Sequence, residues 1–129
     1  MNFMIVTNNP QVRDRYEAEG EAVLFQPGSI LEIMTAIRDL VHQGHKLLTH
    51  PLSGSVKPGH TPYKSVLVST ETGTTDMDSV LLIESAFAAL GKFQDRSALY
   101  SDAILQDYQM VDADLIGGAI ESARKDLGA

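Results

Sequence analysis

The sequence predicts an α/β fold: a single three-layer α/β/α domain over residues 1–129, with a mainly parallel four-stranded sheet and a helical C-terminal half. Three observations carry this expectation. Short β-branched runs alternate with helical stretches as far as Ser69, and such alternation favours a parallel sheet covered on both faces. From Asp76 onward the apolar pattern is helical throughout. The chain length of 129 residues suits one core that needs no covalent staple.

The elements follow in order. Phe3-Met4-Ile5-Val6-Thr7 reads as a strand ended by Asn8-Asn9-Pro10, where an asparagine caps and Pro10 takes the first turn of a helix over 10–18. Gly20 closes that helix, and Ala22-Val23-Leu24-Phe25 is a second strand before the turn at Gln26-Pro27-Gly28. Ser29 caps the next helix, whose Ile30, Ile33, Met34, Ile37, Leu40 and Val41 recur at helical spacing on one stripe. Gly44 ends it. Lys46-Leu47-Leu48-Thr49 and Ser65-Val66-Leu67-Val68-Ser69 are the third and fourth strands. The connection to the fourth lacks a helical pattern, so an antiparallel placement of that strand at an edge is the alternative.

In the second half, Met77, Val80, Leu81, Ile83, Phe87, Ala88 and Leu90 make a helix over 76–93 apolar around most of its circumference. Such a helix is either sandwiched in the core or partly a subunit interface, and the second choice gives a homodimer. Two further helices are expected near 101–109 and 112–126, the last containing Gly117-Gly118. Glycine in a helix interior costs about 1 kcal/mol relative to alanine, which close approach of a neighbouring backbone would explain. No repeat, linker or low-complexity segment is evident.

Composition narrows the function. The chain contains no cysteine, which excludes disulfides, thiolate metal sites and thiol nucleophiles. A net charge of −7 argues against nucleic acid and anionic membranes as partners. The N-terminal MNFMIVTNNP lacks the basic and apolar segments of a signal peptide, and no apolar run approaches the roughly 18 residues of a membrane span, so a cytoplasmic location is expected. Residues 71–129 are strongly acidic. By contrast, Arg38, Lys46, Lys57, Lys64 and all four histidines fall between 38 and 64, where Asp39 is the sole acid.

That region contains THPLSGSVKPGHTPY at 49–63, a connection longer than the usual 4–6 residues. Ligands of open α/β sheets bind beyond the carboxyl ends of the strands. Three loops are therefore expected at one rim: Thr7-Asn8-Asn9, the 49–63 connection with His50 at its start and Lys64 just beyond it, and Ser69-Thr70-Glu71. Within the connection, Ser53-Gly54-Ser55-Val56-Lys57 offers backbone approach, two hydroxyls and an ammonium, the requirements of a small oxyanion. The bland reading is a connection stiffened by Pro51, Pro58 and Pro62. Neither a Walker A spacing nor a GxGxxG is present, so no nucleotide cofactor is expected.

The histidines do not make a metal set. Gly44 separates His42 from His45, and no carboxylate lies in the loop to complete one. His50, at the end of the third strand, is placed either to bond a backbone carbonyl or to serve as an acid or base. Asp107, Asp112 and Asp114 lack the spacing of a calcium loop and read as surface or capping residues.

TNNP at 7–10, GHKLLTHPLSGSVKP at 44–58 and TPYKS at 61–65 resemble the GrdX family, small proteins encoded beside the selenium-dependent glycine, sarcosine and betaine reductase components of amino-acid-fermenting anaerobes. The resemblance covers nearly the whole chain and departs from the family pattern at Gly59-His60. It implies an accessory role beside reductase-complex components, without implying a mechanism. Two functional readings stand. One is a noncatalytic factor that binds a small oxyanion such as acetyl phosphate, phosphate or an amino-acid carboxylate, or that docks on a partner. The other is a small enzyme acting on a phosphorylated or carboxylated molecule, with His50 as acid or base and Lys57 stabilising charge.

Overall fold

A computed structural model of the chain describes residues 2–51, 61–91 and 97–128. Four strands, β1 (Phe3–Thr7), β2 (Val23–Phe25), β3 (His45–Leu47) and β4 (Ser65–Thr72), form one sheet with the order β2-β1-β4-β3. The helices are α1 (Pro10–Ala18), α2 (Ile30–His42), α3 (Met77–Leu90) and α4 (Asp102–Gly128), with a 3-10 turn at Ser97–Leu99.

The sheet is mixed, which overturns the expectation of a mainly parallel one. Only β1 and β2 run parallel, while β4 is antiparallel to both β1 and β3. The cause lies in the connections. Parallel neighbours need a crossover of a dozen or more residues, usually a helix, as α1 provides between β1 and β2. No helix joins β3 to β4 among the described residues, and β4 returns antiparallel. Nor does it take an edge. It runs between β1 and β3, where both faces are covered, and Ser65 through Ser69 are all buried.

Two helices cover each face. On one, α2 and α3 pack Ile33, Met34, Ile37, Val41, Ile83 and Ala86 over Val6, Val66 and Val68. On the other, α1 and α4 pack Val12, Tyr16, Ala113, Ile116 and Ile120 over Ile5 and Leu67. Alternation along β1 and β4 sends successive side chains to the two cores. The caps form where the sequence places them: the Asn9 side chain accepts from the Gln11 N–H at 3.0 Å with Pro10 following, and Ser29 accepts from Glu32 at 3.2 Å. Asp76 caps α3, accepting from the Ser79 N–H at 3.0 Å.

In the C-terminal half, α3 stops at Leu90, and the two helices expected near 101–109 and 112–126 are one continuous α4. Nothing from Gln109 to Asp112 is a helix breaker, and Asp112 hydrogen-bonds across the fold rather than back to its own backbone. Gly117 lies against the Tyr16 hydroxyl, 3.1 Å from where a Cβ would stand, so the close approach is to a side chain and not to a neighbouring backbone. Gly118 faces open space. No helix among the described residues is long and apolar enough to cross a membrane.

Candidate functional site

The carboxyl end of β1 and the start of β4 meet at one rim, where Thr7 pairs with Ser65. The chain leaving β3 reaches the same rim, since the Leu48 N–H donates to the Leu67 carbonyl at 2.8 Å and the Leu67 N–H donates to Thr49 Oγ1 at 3.1 Å. Thr7, Asn8, Asn9, His50 and Lys64 are therefore brought to one end of the sheet. Ser69 is not. Because β4 runs antiparallel, Ser69 pairs with Phe3 at the opposite end, where its hydroxyl accepts from the Lys46 N–H at 2.7 Å and donates to the Glu71 carbonyl at 2.8 Å. Ser69-Thr70-Glu71 is thus the far part of β4 and not a loop at the rim. Ser53, Gly54, Ser55 and Lys57 lie outside the described residues.

At the rim the asparagines act as braces. Asn8 Nδ2 donates to the Pro62 and Gly28 carbonyls at 2.8 and 3.1 Å, and Asn8 Oδ1 accepts from the Lys64 N–H at 2.8 Å. Asn9 Oδ1 caps α1, while its Nδ2 donates to the Gln109 carbonyl at 2.8 Å and to Asp112 Oδ2 at 3.0 Å. Both amides are buried and both ends of each are engaged. Their chemistry is spent on holding three loops and α4 in register.

A residue assigned above to the surface lies at the centre of this arrangement. Asp112 is buried, and it accepts at Oδ1 from the Ser65 N–H (3.1 Å) and at Oδ2 from the Ser65 hydroxyl (2.7 Å) as well as from Asn9. The proton order follows from obligatory donors. The Asn9 N–H donates to Thr7 Oγ1 at 2.9 Å, which directs the Thr7 proton to Ser65 Oγ at 2.6 Å and the Ser65 proton to Asp112. Burial pushes the Asp112 carboxyl above its ordinary range, and the bonds from Asn9 and Ser65 with the nearby Lys64 charge draw it partly back. Burial likewise lowers the pKa of the Lys64 ammonium, opposed by Asp112.

Above this network is a cleft of about 70 Å³ lined by Thr49, Lys64, Ser65, Asp112, Leu115, Ile116 and Ala119. Thr49 Oγ1 accepts from the Leu67 N–H, and a hydroxyl that accepts can also donate its proton. His50 is exposed beside Thr49 and does not line the cleft. His45, by contrast, is fixed by a 2.7 Å bond between Nδ1 and the Ser69 carbonyl, at the far end of the sheet. Helical phase is the signal that would have found Asp112. Its position four and eight residues before Ile116 and Ile120 puts it on their buried stripe, and starting a helix at 112 makes it read as a cap instead.

The family model described as GrdX-like protein matches residues 4–121. The chain belongs to the GrdX-like family. The matched span contains the rim from Thr7 to Asp112. No curated protein and no solved structure matches the chain.

Proposed function

We propose that this GrdX-like chain is an accessory protein of the glycine, sarcosine or betaine reductase type of system, and that it acts without catalysis by holding a small carboxylate in the rim cleft. The observation that carries this reading is the half-desolvated Lys64 beside the Asp112 network on the wall of a 70 Å³ cleft. A half-buried cation binds an anion more strongly than one at the open surface.

The lining favours a short carboxylate over a phosphate. Leu115, Ile116 and Ala119 offer an apolar wall for one or two carbons, which a carboxylate carries and inorganic phosphate lacks. Lys64 and the Thr49 hydroxyl would take the carboxylate, each a charge-assisted bond. An amino-acid guest would also bring an ammonium toward Asp112.

Calorimetry with acetate, glycine, phosphate and acetyl phosphate tests the reading. Wild type should bind a carboxylate more tightly than phosphate, and Lys64→Met should weaken binding by at least tenfold, the scale of about 1.5–3 kcal/mol for a hydrogen bond to a charged group. No heat from any of the four at millimolar concentration would leave partner docking as the accessory role.

A further inference from the structure

Burial along α4 is uneven among the described residues. No residue from Asp102 to Val111 is buried, whereas Asp112, Ala113, Ile116 and Ile120 all are. At 1.5 Å per residue, the leading segment is roughly 15 Å of helix standing past the core. Among the described residues its polar anchors sit at its base: Gln109 Nε2 donates to the Tyr63 hydroxyl at 2.8 Å, Asn9 donates to the Gln109 carbonyl, and Asp112 takes Ser65.

This segment and the next turn present an apolar stripe. Ile104, Val111 and Leu115 are 43%, 40% and 44% exposed, and Tyr108, stacked on Tyr100 at 5.2 Å, lies between them. Steps of four, three and four residues put Ile104, Tyr108, Val111 and Leu115 on one helical face, the spacing with which one helix receives another. Asp107 and Asp114 border the face, and the sequence from 97 to 123 contains no Lys or Arg.

From this combination we infer that the stripe is a docking seam for an amphipathic helix of a partner protein, apolar at matching spacing and flanked by Lys or Arg. Charge decides between partner and self. If two copies paired through α4 antiparallel, with Ile104 against Leu115, Asp107 of each would come within a turn of Asp114 of the other, and like charges at that range repel. A basic helix meets the same carboxylates favourably. The seam needs no ligand in the cleft, although Leu115 lines both, so a docked helix would also cover the cleft mouth.

The test is fluorescence anisotropy with a labelled 18-residue synthetic peptide carrying Leu at helical i, i+4, i+7 and i+11 positions and Lys elsewhere, at physiological salt. The Lys peptide should saturate on wild type, bind at least tenfold more weakly to the Val111→Ser/Leu115→Ser double variant, and bind unchanged to Leu81→Ser on α3. Ile104→Ser, at the far end of the helix, should weaken it several-fold with unaltered circular dichroism, which covers the case in which the double variant misfolds. Equal binding by wild type and Ile104→Ser would overturn the seam. So would equal binding by a peptide with Glu in place of Lys, or a wild-type dimer that the seam variants dissolve.

Discussion

At the scale of single residues, Asp112 shows how one buried carboxylate organises a rim. It receives three donors, two of which, the Ser65 N–H and the Asn9 amide, cannot reverse. Asp112→Asn keeps the shape but turns one acceptor into a donor, and either amide orientation then faces a donor. The expected cost is about 1–3 kcal/mol at neutral pH, that of an unsatisfied buried polar group. The pH dependence has a definite sign. Because the folded carboxyl binds its proton more tightly than the ordinary Asp value of about 3.9, stability from Asp112 is fully present below that value and is lost as pH rises through the folded pKa. Urea denaturation should therefore show a larger difference between wild type and Asp112→Asn near pH 4.5 than at pH 7. A difference that shrinks on acidification would mean that the hydrogen bonds outweigh burial.

At the scale of elements, legibility depended on whether a local rule governed the boundary. The caps at Asn9 and Ser29 and the stop at Gly44 were readable because each answers a local backbone demand. Gly44 has φ of +104°, and a side chain there would run into the Gly73 carbonyl. The join of α4 was readable only in the lack of a breaker at 109–112, whereas the pairing of Asp112 with Ser65, 47 residues away, follows no local rule. The direction of β4 failed similarly, because strand runs record burial and not polarity. A measurable consequence of α4 being half-supported is uneven protection. Amides of residues 106–110 should exchange at least tenfold faster than those of 116–123, which pack on Ile5, Leu67 and Tyr16. Uniform protection along the helix would contradict a segment standing past the core.

At the scale of the whole molecule, the α/β class was legible but the mainly parallel sheet was not, and strand direction moved the site. Reversing β4 removed Ser69 from the rim and delivered Ser65 to it, so Thr7-Asn8-Asn9 meets the start of β4 and not its end. Sequence also suggested that α3 has more apolar surface than a core can use. Most of it is accounted for: Ile83 and Ala86 are buried, and Val80, Leu82, Phe87 and Leu90 pack against the core. Met77 and Leu81 remain, 63% and 62% exposed and one turn apart. Self-association through so small a patch must also bring together two copies that each carry −7. Salt separates these terms, since it screens the repulsion and leaves apolar burial intact. A homodimer built on α3 should accordingly be weak at about 20 mM NaCl, grow toward 0.5 M, where the screening length is below about 8 Å, and vanish in Leu81→Asp. Light scattering that reports a monomer at both salt concentrations would remove the homodimer and leave α3 as a core helix with two exposed side chains.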